Sequence, residues 1–106
     1  GTTGPAPADD IGAQTREALR RVEIALTEVG ATLSDVVRTR IYVTDISRWR
    51  EVGAVHSEIF GEIRPAATMV EVSALIAPEL LVEIEADAYS ADDSSTGGKV
   101  PSAAGR

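Results

Sequence analysis

Along the chain the spacing of apolar residues switches from helical to alternating, returns to helical, and ends in two alternating runs. Ala18, Val22, Ala25 and Val29, with Leu19 and Leu26 beside them, recur at three- and four-residue steps, and Arg16, Glu17, Arg20, Glu23 and Glu28 fall mostly opposite. That pattern predicts an amphipathic helix. It stops at Gly30, the residue type that takes the left-handed C′ conformation without steric cost. From Val36 to Val43 the step is two, with Val37, Thr39, Ile41 and Val43 on one face and Val36, Arg38, Arg40 and Tyr42 on the other. β-Branched residues dominate, so this segment predicts a strand. A second helix follows, capped by Asp45 or Ser47, with Trp49, Val52, His56, Ile59 and Phe60 on its apolar stripe and Gly61 at its end. After Pro65 the run Ala67–Leu75 sends Thr68, Val70 and Val72 one way. Beyond a turn at Pro78, Val82, Ile84, Ala86 and Ala88 alternate with Leu81, Glu83, Glu85 and Asp87 in a last strand over Leu80–Tyr89. The order helix, strand, helix, strand, strand predicts an α+β layer, with two helices covering one face of a sheet.

The second sheet face changes the picture. It is expected to carry Arg38, Arg40 and Tyr42 from one strand and Glu83, Glu85 and Asp87 from another, joined by Glu71, Val36 and Met69. Opposite charges on neighbouring strands pair across a face, and the apolar residues among them favour a subunit interface over a solvated surface. The ends of the chain lack such patterning. Gly1–Asp10 reads as a loop of Gly, Pro and small residues. Ser90–Arg106 offers Val100 as its one large apolar residue, too little to offset the entropy of ordering it, so a flexible tail is expected there. One domain over residues 11–89 remains.

Composition narrows the chemistry. The net charge is −7, and residues 11–89 carry most of it, with 13 Asp and Glu against 8 Arg. This argues against a phosphate-backbone binder, whose affinity comes from clustered Lys and Arg, so no nucleic-acid partner is expected. There is no cysteine, which removes disulfides and thiolate sites. No apolar run approaches the ~18–20 residues of a membrane span, and a cytoplasmic protein without a membrane partner is expected. One histidine and no cysteine leave only carboxylates as metal ligands, and Glu83, Glu85 and Asp87 alternate along one strand face without a Gly-rich calcium loop, so no metal and no cofactor are expected. His56 sits on the apolar stripe of the second helix and reads as a packed core histidine. The glycine pair Gly97–Gly98 does not follow a strand, so it does not form a phosphate loop. Carboxylate chemistry is what is left. A half-buried Glu near an interface can act on water, with Glu83 and Glu85 as candidates, or both can simply pair with Arg38 and Arg40.

Three blocks, SDVVRTRIYVTDI (Ser34–Ile46), RPAATMVEVSAL (Arg64–Leu75) and LVEIEADA (Leu81–Ala88), resemble in order and spacing the RidA family, also called YjgF. Upstream, AQTREALRRVEIALTEVGATL (Ala13–Leu33) fits the family's first helix. The resemblance implies a chorismate-mutase-like α+β fold and a homotrimer with a central β-barrel and small-molecule clefts between subunits. It also implies hydrolysis of imines or enamines by water that a glutamate positions, and Glu83 falls at that position. The family's Pro-Ala-Arg-Ser/Thr motif, whose arginine clamps a substrate carboxylate, is matched by Pro65, Ala66 and Thr68, but the arginine position is Ala67. Arg64, three residues earlier, is the candidate substitute for that cation, the other reading being a surface or interface ion pair. Gly53 stands where such deaminases carry an Asn, and the chain is expected to begin after the family's first β-hairpin. Ala67 keeps a second function open: a non-catalytic trimer that binds a small metabolite or another protein.

Overall fold

The computed structural model describes residues 10–89 and the backbone of residues 99–105. Asp10 opens the first helix, its carboxylate accepting the Ala13 amide at 2.9 Å and so satisfying one of the donors a helix start leaves unpaired. Helix α1 (Ile11–Glu28) buries Ile11, Thr15, Ala18, Leu19, Val22 and Leu26. The expected face holds except at Val29, which lies past the last helical residue and is exposed. Gly30 takes φ +80°, the left-handed reversal its position predicts.

The sheet consists of β1 (Val36–Val43), β2 (Ala66–Glu71), β3 (Val82–Tyr89) and β4 (Lys99–Gly105), in the order β2-β1-β3-β4. Strand β1 pairs parallel with β2, which it reaches through helix α2 (Trp49–Phe60), and antiparallel with β3. Helix residues Leu19, Val22, Leu26, Val52 and Phe60 form one core with Ile41, Val43, Val82, Ile84, Ala86 and Ala88. Two helices therefore cover one sheet face, as the alternation predicts.

Register corrects several placements. The β1–β3 pairing shifts between Val36 and Arg38. A bulge adds one residue and reverses side-chain parity beyond it. Val36 is thus in the core at 3% exposure, while Val37 stands at 51%. On β2, Ala67 pairs with Thr39, Met69 with Ile41 and Glu71 with Val43, so all three project toward the helices. Met69 and Glu71 accordingly leave the charged face. Met69 packs against the core, and the Glu71 carboxylate accepts the Ile46 amide at 2.9 Å.

Around α2 the caps differ from expectation. Asp45 caps the 3₁₀ turn Ile46–Arg48 that feeds the helix, accepting the Ser47 amide at 3.0 Å, and not α2 itself. Trp49 is 48% exposed beneath the Arg50 guanidinium, 4.8 Å from its ring centroid; the buried stripe is Val52, Val55 and Phe60. Gly61 keeps right-handed geometry at φ −52°, and the left-handed residue after this helix is Arg64, at φ +53°.

The flexible tail expected from Ser90 is corrected over Lys99–Gly105, which pairs antiparallel with β3. Backbone hydrogen bonding to an open strand edge requires no large apolar side chain. The register shift between Ala86 and Ala88 falls opposite the Val100–Ala103 stretch that contains Pro101, and bulges are where a sheet accommodates proline. The remaining tail residues and the N-terminal loop before Asp10 lie outside the described residues.

One buried polar side chain ties the layers together. The Gln14 amide group donates to the Glu79 carbonyl at 2.9 Å, and its carbonyl accepts the Leu81 amide at 2.8 Å. It thereby anchors the loop that carries the chain from β2 across to β3. Gln14→Ala leaves both backbone groups without their partner in a partly buried setting, and a loss of about 1–3 kcal/mol is expected. Urea denaturation checks it; an unchanged midpoint would show that water replaces the side chain at no cost.

Candidate functional site

The sequence-predicted site residues fall into two groups on opposite sides of the sheet. The first lines a groove of about 410 Å³ between α2 and the edge strand β2, bounded by Gly53, His56, Ser57, Phe60, Gly61, Arg64, Pro65 and Ala67. The helical members recur at three- and four-residue steps and so share one side of α2. Ala67 enters because its register with Thr39 turns it toward the helices. Gly53 leaves open space, with no atom within 4 Å of where a Cβ would stand.

Arg64 sits at the turn that leads into β2. Its amide donates to the Phe60 carbonyl at 2.9 Å and its Nε to the Gly61 carbonyl at 3.4 Å. A left-handed backbone costs a non-glycine residue roughly 1–2 kcal/mol, and such outliers cluster at functional sites. Pro65 follows it directly. Arg16, Arg20, Arg21, Arg40 and Arg48 all hold carboxylates within ion-pair distance. Among the described residues Arg64 has no such acidic partner.

His56 is half-buried, with Nε2 at 2.9 Å from the Thr39 hydroxyl and its ring 4.8 Å from that of Phe60. Burial lowers its pKa, which keeps the imidazole uncharged at neutral pH. The expectation of a packed core histidine is half right: the ring packs on Phe60, yet it also lines the groove. The row Gly53–His56–Ser57 carried that signal, because it runs beside the buried Val52–Val55–Phe60 stripe and is too polar to belong to it.

The second group lies on the opposite sheet face. Arg40 bonds Asp87 through both terminal nitrogens, at 2.8 and 3.2 Å, and Glu85 through Nε at 3.2 Å. The Tyr42 hydroxyl donates to the same Glu85 carboxylate at 2.9 Å. These bonds raise the Arg40 pKa, chiefly through Asp87 and then Glu85. Glu85 is therefore occupied by the Arg40 network, one of the two roles open to it. Glu83, half-buried and opposite Tyr42 in register, and Thr68, opposite Arg40, share this face. Within one chain Glu83 and the Ala67 groove are not brought together: β1 separates their strands, roughly 10 Å at ordinary strand spacing, and the side chains project to opposite sides. Among the described residues no group of three or more His, Asp or Glu is placed to hold a metal ion, and no helix is long and apolar enough to cross a membrane.

The family model described as Endoribonuclease L-PSP matches residues 1–90. The chain belongs to this family, the YjgF or RidA family of the resemblance. A solved structure of a YjgF/YER057c/UK114 family member from Mycobacterium tuberculosis is 76% identical, with a TM-score of 0.78 over 85% of this chain and 75% of that one. The YjgF gene product of Escherichia coli is 33% identical, with a TM-score of 0.71 over 79% of this chain and 67% of that one. The fold is thus the chorismate-mutase-like α+β fold of YjgF proteins. A RutC family protein of Pyrococcus abyssi is 40% identical over 87 residues, 82% of this chain and 68% of its own length. A 3-aminoacrylate deaminase, RutC of Acinetobacter baylyi, is 35% identical over 80 residues, 76% of this chain and 63% of its own length.

The charged face of this YjgF-family chain carries its own pH signature. The hydrogen bond to Glu85 raises the Tyr42 pKa above its ordinary value of 10.0. A raised folded-state pKa means that the stability from this bond is fully present below pH 10 and is lost as pH rises through the higher value. An alkaline tyrosinate absorbance titration is expected to show a late-titrating phenol that Tyr42→Phe abolishes. A wild-type titration complete at the ordinary phenol pKa would contradict this geometry.

Proposed function

We propose that this chain is a cytoplasmic homotrimer that binds a small carboxylate-bearing imine or enamine in clefts between subunits and hydrolyses it. The groove between α2 and β2 forms one wall of each cleft, and Glu83 of a neighbouring copy activates the water. Glu83 accepts a proton from water as the oxygen adds to the C=N carbon; the nitrogen, once protonated, leaves as ammonia and a carbonyl product remains. The observation that carries this reading is Arg64, a guanidinium without an acidic partner among the described residues on the groove that Ala67 leaves without one. A planar guanidinium matches a carboxylate in two-point fashion. Pro65 stiffens its approach, and Thr68 begins the opposite face. The 3-aminoacrylate deaminase among the relatives supports the reaction class.

Assembly is supported by β2 itself. It is an edge strand with almost every side chain exposed, and its N–H and C=O groups form an open template for another copy. Light scattering at neutral pH is expected to give a trimer; a monomer of 11.1 kDa would defeat the shared-cleft reading.

Turnover tests the chemistry. An imine-hydrolysis assay over a panel of amino-acid-derived imines is expected to show activity that Glu83→Gln lowers at least about a hundredfold, the range for losing a general base. Arg64→Gly, which relieves the left-handed backbone, is expected to raise KM while the fold persists. A specific observation favours a second reading: Ala67 removes the clamp at its usual place. If no substrate is turned over, and Ala67→Arg restores activity, the protein is a non-catalytic binder of a small metabolite.

A further inference from the structure

Gly53 lies in the interior of α2, where glycine costs stability relative to alanine because it loses more backbone freedom on folding. The fold itself does not ask for it. Its backbone is not left-handed, and no atom stands within 4 Å of where a Cβ would be. Gly61 is the contrast: a Cβ there would meet the Ser57 carbonyl oxygen at 2.7 Å. Gly53 does, however, line the groove. Its position on the helix says what the missing side chain uncovers. Trp49, Gly53 and His56 recur at four- and three-residue steps and so form one row along α2. A helical side chain leans toward the N-terminus and covers the turn before its own Cα, so a side chain at position 53 would lie over Trp49. Glycine leaves that flank of the indole bare. Trp49 is 48% exposed, although the Arg50 guanidinium sits over its ring.

We infer that Gly53 is a specificity-determining residue that opens the groove onto Trp49, and that the groove selects ligands whose aromatic tail crosses the bare helix backbone at Gly53 to reach the indole. The inference rests on reading the groove as the ligand site, and it concerns the end of the groove remote from Arg64. Gly61, whose carbonyl accepts from the Arg64 Nε, lies eight residues from Gly53, roughly 12 Å at the helical rise. Along that length the lining is graded. The cation stands at one end, the His56 ring and the Ser57 hydroxyl follow, and beyond them come a position without a side chain and an aromatic ring one turn further on. An aryl group placed there buries apolar area against the Gly53 Cα and meets the indole in the offset or edge-on geometry that aromatic pairs favour. A short ligand fills only the polar half and gains nothing from Trp49. The stability given up at position 53 is thus exchanged for room.

The chain has one tryptophan, so its fluorescence reports on Trp49 alone. Titration of the intact protein with 4-phenylbutyrate is expected to change that emission saturably, and butyrate, the same acid without the ring, is expected to leave it in place. Followed on the Ala67 amide by ¹H–¹⁵N spectra, 4-phenylbutyrate is expected to bind at least about tenfold more tightly than butyrate. Gly53→Leu, which fills the space over position 49, is expected to remove that advantage and to leave butyrate binding as it was. Trp49→Ala is expected to do the same, and Trp49→Phe to restore most of the difference. Gly53→Ala is expected to raise the melting temperature by roughly 3–6 °C. A fall in melting temperature would show that Gly53 serves the fold, and would overturn the inference. So would equal affinity for the two acids, no saturable binding of 4-phenylbutyrate, or an advantage that survives Gly53→Leu. Arg64→Gly is expected to weaken both acids alike, and this arm tests the groove reading by itself. None of these readouts depends on turnover: tail selection without hydrolysis in the imine assay refutes the catalytic proposal alone, and hydrolysis without tail selection refutes this inference alone.

Discussion

Side-chain parity along β1 is the constraint on which the rest of the structure depends. Thr39, Ile41 and Val43 must meet the helices while Arg38, Arg40 and Tyr42 face away, because successive residues of a strand point to opposite sides. Once β1 is set, β3 inherits its register through Ile41–Ile84 and β2 through Ile41–Met69. A single slip would place Arg40 in the core and Ile41 in water. The bulge between Val36 and Arg38 is the one place where parity is broken, and it is broken so that Val36 still reaches the core. The Arg40–Asp87–Glu85–Tyr42 cluster then fixes the same register from the opposite face.

The groove follows from this arrangement. Because β2 runs parallel to β1, the chain must cross from one end of the sheet to the other, and α2 makes that crossing. The return into β2 takes a left-handed residue immediately before a proline, and that residue is arginine and not glycine. The backbone cost is tolerated beside a helix end whose Phe60 carbonyl is satisfied. The same turn places a cation on a groove in an otherwise acidic protein, where an anion would compete with little other positive charge. His56 completes the lining without adding charge, since burial disfavours its protonation.

Much of this was legible in the residues. The helix of Ala18–Leu26, the alternation of Val36–Val43 and Val82–Tyr89, the stop at Gly30 and the arginine-to-carboxylate pairing across the charged face all follow from period and chemistry. Three features were not. Val36 and Met69 changed faces, because a bulge and a parallel register are properties of a pair of strands and cannot be read from one. Lys99–Gly105 joined the sheet because an open edge on β3 could accept backbone pairing from a segment with no apolar pattern of its own. His56 and Ala67 became neighbours across a groove although 11 positions apart, which helical spacing alone does not reveal.

By itself, then, the sequence determined the two helices and the strands other than β4, most of the composition of each face, and the family, since these rest on local periodicity and on the order of three short blocks. The tertiary structure alone decided which strands pair, which of two alternating residues meets the helices, and which polar groups share a cavity. It put Arg64 and His56 on one groove and Glu83 on the far face of the sheet. The reason is that strand register is a relation between distant segments, settled by the summed burial of both, and no single segment carries it.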